Sequence, residues 1–212
     1  MPDRDGSYLA EPSGQGQGGV LVLHDWYGLL PHVRGACDEL ATAGLVALAP
    51  DLYDGTTTTD PERAEALMEA LDSDKARSQV DAALADLRER TGGGPVGGLG
   101  FSMGGFRTLL QATTGTYDAI AVYYAALDDE QAASIHCPVL LHVAEHDDFD
   151  PPELFEGFIA ALRAAGTDVQ AHTWPGTEHS FANADVALYA PTPAAEAWPI
   201  TVQFLRDHLS SP

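Results

Sequence analysis

The sequence is short of positive charge. Its 212 residues hold ten lysines and arginines against 32 aspartates and glutamates, a formal net charge of −22, and Lys75 is the sole lysine. A surface of that sign repels phosphate backbones and anionic headgroups, which argues against nucleic acid or membrane as a partner. It also favours a monomer, because like-charged copies repel one another. Two origins fit the acidity: life at high salt, where screening removes the self-repulsion, or a GC-rich genome in which alanine, glycine and aspartate are common. Cysteine is equally scarce. Cys37 falls in a helical pattern and Cys137 just before a strand, and two cysteines in a chain of this length make no disulfide framework. No apolar run approaches the roughly 18 residues that a membrane span needs. The opening MPDRDGSYLAEPSG lacks the basic-then-apolar pattern of a signal peptide, so the expected compartment is the cytoplasm.

What is present is ordinary globular material, 45% hydrophobic, enough for one domain over residues 1–212 with a sizeable core. Short apolar runs alternate with amphipathic stretches. Ser7 to Ala10 reads as an edge strand, and Gly19 to His24 and Leu45 to Ala49 as buried strands. Pro95 to Phe101, Asp118 to Tyr124, Pro138 to Val143 and Val169 to Trp174 read as further strands. Helices are expected over Pro31 to Ala43, Pro61 to Leu71, Lys75 to Thr91, from Phe106 onward, and over Pro152 to Ala165 and Thr192 to Leu209. Strands alternating with helices predict an α/β fold: a mostly parallel central sheet with helices on both faces and no lid domain.

The stretch Gly100-Phe101-Ser102-Met103-Gly104 lies between a strand and a helix. A G-x-S-x-G there is the nucleophile elbow of α/β-hydrolases, a turn too tight for flanking side chains that exposes the serine above the sheet edge. A serine hydroxyl needs a base, and the base needs an acid to fix its tautomer. Chain order in this fold is Ser, then Asp or Glu, then His. Asp147, Asp148 and Asp150 lie after one downstream strand, and His179 lies after the last. His24, His142 and His172 fall within or at the ends of strands, where a satisfied core histidine is the common case. His32, His136 and His208 read as surface residues. His142 and His146 are four apart, but across a strand end rather than on a helix, so no metal site is expected. The N–H groups of Met103 and Trp26 are placed to hold an oxyanion. Together these predict hydrolysis of a small ester or lactone through an acyl-enzyme, with no cofactor.

Four segments then resemble the dienelactone hydrolase family: LHDWYG (Leu23 to Gly28), GFSMGG (Gly100 to Gly105), VYYA with HVAEHDDFDPP (Val122 to Ala125, His142 to Pro152) and WPGTEHSFAN (Trp174 to Asn183). The resemblance runs from about Ser7 to Leu209. It implies that Asp147 is the acid, supports Trp26 and Met103 as oxyanion donors, and implies pocket roles for Asp25, Tyr123 and Asn183. The sequence also departs from the family pattern. Ser102 stands where the best-known members have cysteine, Asp25 where they have glutamate, and Asn183 where they have a carboxylate-binding arginine. A second such arginine lies before the elbow in the family, a region that here holds Arg63 and Arg77. Without the bidentate arginine a neutral ester is the expected substrate, and dienelactone itself the alternative. A non-catalytic scaffold of the same fold would show a damaged triad or oxyanion loop, and the sequence shows neither.

Overall fold

The computed structural model describes residues 6–14 and 16–210. Its sheet has seven strands in the order β1-β3-β2-β4-β5-β6-β7. The short β1 (Tyr8–Ala10) is antiparallel to β3 (Val46–Ala49), and every other neighbour is parallel. At the centre β2 (Gly19–Leu23) lies beside β4 (Val96–Phe101), then β5 (Ile120–Tyr123), β6 (Val139–His146) and β7 (Val169–Glu178). The residues of β2, β4 and β5 are buried throughout, as expected for parallel strands covered on both faces.

Two core layers cover the sheet. One holds Leu40 and Val33 of α1 (Pro31–Thr42) with Phe204 and Leu205 of α7 (Pro191–Leu209). The other gathers α3 (Ser73–Arg90), α4 (Met103–Ala112) and α6 (Pro152–Ala164) through Leu84, Leu109 and Phe158. Each fully buried leucine or phenylalanine contributes about 1.5–3 kcal/mol. Two further helices, α2 (Pro61–Glu69) and α5 (Asp129–Ala132), lie in the connections. Asp60 caps α2 through the Glu62 N–H, and Asp72 caps α3 through the Asp74 and Lys75 N–H groups, so part of the acidic excess serves helix starts.

Close contact fixes α4 against the strands. A methyl group on Gly104 would lie 2.2 Å from the Leu23 carbonyl oxygen, and one on Gly100 2.4 Å from that of Gly104. Gly104→Ala would therefore push α4 off the sheet.

Three features differ from the sequence reading. Helix α4 begins at Met103 rather than Phe106, because the Phe106 N–H already donates to the Ser102 carbonyl at 2.8 Å. Strands β6 and β7 run on to His146 and Glu178, past Val143 and Trp174, across an irregularity between Ala144 and His146. The short α5 has too few residues for a periodic signal. Among the described residues no helix is long and apolar enough to cross a membrane.

Candidate active site

The carboxyl ends of β2, β4, β6 and β7 open on one edge of the sheet, where parallel α/β sheets form their crevice. Ser102 leaves β4 at φ 50° and ψ −117°, a left-handed conformation costly for any residue but glycine. Its N–H donates to the Tyr123 carbonyl at 3.0 Å, so β5 pins the turn. The Ser102 Oγ lies 2.7 Å from His179 Nε2. His179 Nδ1 lies 2.7 Å from Asp147 Oδ2, with both side chains almost wholly buried.

Asp147 is fixed in turn. Its Oδ1 accepts the N–H groups of Phe149 and Asp150, each at 3.0 Å. An ionised carboxylate only accepts, so His179 Nδ1 carries the ring proton and Nε2 offers its lone pair to the serine hydroxyl. Of the three aspartates left open by the sequence, Asp147 reaches the histidine. Asp148 is exposed, and burial together with the Asp147 charge pushes the Asp150 carboxyl up to about 6.

The first-turn N–H of Met103 has no intrahelical acceptor, and neither it nor the Trp26 N–H has a partner among the described residues. The loop carrying Trp26 is held by Asp25, whose Oδ1 accepts the Tyr27 N–H at 2.9 Å. Asp25 Oδ2 accepts the Asn183 amide at 2.7 Å, and Asn183 Oδ1 accepts the Asp185 N–H at 2.9 Å. Both Asp25 and Asn183 have no exposed surface. Burial pushes the Asp25 carboxyl up to about 7, although its two hydrogen-bond donors favour the charged form. Asp25 and Asn183 thus bind each other behind the site, and neither presents surface to a substrate.

Tyr123, expected in the pocket, turns toward α7. Its hydroxyl pairs with Thr201 Oγ1 at 2.7 Å, and its ring stacks on His142 at 4.4 Å. The ring that meets His179 is Tyr124, at 4.9 Å. His32, read as a surface residue, is buried near Asp25 and Asp185, and burial lowers its pKa to about 4, so the ring is neutral at pH 7. Nothing in the sequence marked Tyr124 or His32, since the first is set by a backbone turn that residue type does not encode and the second by enclosure among residues far away in the chain. Phe149 stands exposed beside the site, 4.8 Å from His179 and 5.3 Å from Trp26. Arg63 and Arg77 are exposed on α2 and α3. No group of three or more His, Cys, Asp or Glu among the described residues is arranged to hold a metal ion.

The profile of the Dienelactone hydrolase family matches residues 6–209. The chain belongs to that family. Family membership makes it a hydrolase of carboxylic ester or lactone bonds on an α/β-hydrolase fold. A protein of Azospirillum brasilense with the provisional designation carboxymethylenebutenolidase is 34% identical over 222 residues, covering 97% of this chain and 95% of its own. A Bradyrhizobium protein named as a probable 2-oxo-3-(5-oxofuran-2-ylidene)propanoate lactonase is 27% identical, covering 96% and 89%. Among solved structures, a dienelactone hydrolase-like promiscuous phosphotriesterase from metagenomic libraries superposes with a TM-score of 0.80 at 23% identity, covering 93% of this chain and 89% of its own. That likeness speaks for the fold alone.

Proposed function

We propose that the chain is a serine hydrolase of small neutral carboxylic esters or lactones, working through an acyl-enzyme. The observation that carries this reading is the Oγ–Nε2 distance of 2.7 Å to a histidine whose other nitrogen is committed to a carboxylate. In this scheme His179 takes the Ser102 proton as the hydroxyl attacks the carbonyl carbon. Asp147 stabilises the imidazolium, and the N–H groups of Trp26 and Met103 receive the oxyanion. His179 then protonates the leaving alkoxide, or the ring oxygen of a lactone. Water, deprotonated by the same histidine, attacks the acyl-enzyme and frees Ser102.

The neutral substrate follows from the pocket wall. Asn183 is wholly buried and donates to Asp25, so it offers a substrate carboxylate no contact, and the Trp26–Phe149 pair beside His179 offers apolar surface to an acyl or aryl group. Asp25, Asn183 and Tyr123 shape this wall from behind rather than by contact. A fluorophosphonate probe tests the assignment. The parent is expected to label at Ser102 and Ser102→Ala to stay unlabelled; equal labelling of both would refute it. Turnover of p-nitrophenyl acetate well above that of a carboxylate-bearing lactone is the expected selectivity, and the reverse order would restore dienelactone as the substrate.

A further inference from the structure

Among the described residues four other than glycine have a positive φ: Asp54, Ser102, Tyr124 and Ser180. Asp54 lies in an exposed turn. The other three gather at one place. Ser102 contacts His179, Ser180 follows it in the chain, and the Tyr124 ring packs on it at an interplanar angle of 54°. A left-handed backbone is expensive for a bulky aromatic residue and persists only where the surroundings impose it.

At Tyr124 the consequence is directional. Strand alternation would send its side chain to the sheet face opposite Tyr123. With φ at 41° it does not go there. Tyr123 and Tyr124 lie in the same core layer, and Ala125 returns to the other. The Tyr124 N–H donates to the His142 carbonyl at 2.8 Å, and the preceding carbonyl accepts the Ser102 N–H, so the turn is tied to β6 and to the elbow at once. Phe181 supports the ring edge-on at 5.6 Å. The hydroxyl is buried with no partner among the described residues, a second cost at the same residue. Phe149 also touches His179 but is 57% exposed, whereas Tyr124 has no exposed surface.

We infer that Tyr124 is a positioning residue, whose ring holds the His179 imidazole in the orientation that joins Ser102 to Asp147. The inference rests on the roles proposed above for those three residues. The ring carries the effect, and the hydroxyl contributes nothing to it.

Two readouts test this on Tyr124→Phe and Tyr124→Leu: the low-field proton resonance of the His179–Asp147 hydrogen bond, and steady-state hydrolysis of p-nitrophenyl acetate. Tyr124→Phe is expected to keep the resonance and a kcat within about twofold of the parent. Tyr124→Leu, which fills space without a ring, is expected to lose the resonance and about tenfold or more in kcat, with KM little changed. Should Tyr124→Leu not fold, Tyr124→Met serves in its place. A leucine or methionine variant that keeps both signals overturns the inference. A phenylalanine variant as impaired as leucine does so too, by moving the effect to the hydroxyl. Failure of the serine hydrolase reading is seen separately, as a parent that does not label at Ser102, while the resonance still reports on His179.

Discussion

His142 and His179 are both buried, and each has a hydroxyl oxygen near Nε2: Thr201 Oγ1 at 2.9 Å for His142, Ser102 Oγ at 2.7 Å for His179. What separates them is the far nitrogen. The Trp174 indole, which can only donate, reaches His142 Nδ1 at 3.1 Å. His142 therefore uses its Nδ1 lone pair there and points its proton at Thr201. Burial holds its pKa down to about 3, so the ring stays neutral at working pH. His179 has a carboxylate at Nδ1 instead, and the polarity of the hydroxyl contact is reversed. A serine beside a histidine is thus no evidence of a nucleophile until the partner across the ring is known.

The largest effect should come from giving His179 the wrong partner. Asp147→Asn can present an N–H to Nδ1, as Trp174 does to His142. Its kcat/KM is expected to fall by about 10³–10⁴ with little change in melting temperature. A loss below tenfold would break the comparison.

Asp25 extends the comparison from imidazole to carboxyl, since burial again disfavours the charged form. Its folded pKa of about 7 lies above the ordinary 3.8. Between those values the folded state keeps a proton that the unfolded chain has lost, so stability should fall as pH rises, by on the order of 3 kcal/mol. Urea titrations of the parent at pH 4.5 and 7.5 should show this decline, and Asp25→Asn should flatten it. Parallel slopes would refute the assignment.

Thr201→Val strips the hydroxyl from the other imidazole and leaves both His142 Nε2 and the Tyr123 hydroxyl unpaired. Chemical denaturation should register a loss of about 1–3 kcal/mol, with hydrolysis unaffected beyond twofold or so. A large drop in kcat would place His142 in the chemistry. Smallest of all, Asp148→Asn and Asp150→Asn should leave kcat within about twofold of the parent. Losses matching that of Asp147→Asn would undo the choice among the three aspartates.

These contrasts mark how far residue patterns carry. The runs Gly19 to Leu23 and Val96 to Phe101 announce buried parallel strands because both faces are apolar, and the order of Ser102, the aspartates and His179 follows from the loops they occupy. The extension of β6 and β7 is different. Glu145, His146 and Glu178 read as loop residues, and only the pairing of His146 with Glu178 beyond the irregularity makes this stretch strand. Tyr124 shows a second limit. Period-two alternation puts its ring on the wrong face, and the single left-handed φ that reverses it leaves no compositional trace. The neutrality of His32 and the raised Asp25 pKa come from enclosure by residues far away in the chain.

The overhang of β6 and β7 also has a mechanical side. Pairing continues to His146 and Glu178, and the Gly176 N–H donates to Glu145 Oε2 at 2.7 Å, so the two strand tips form one ribbon at the sheet's outer edge. Asp147 leaves from one tip and His179 from the other. The spacing of Asp147 and His179 is therefore set within one paired unit, and the contact with Ser102 depends on where that unit meets the elbow.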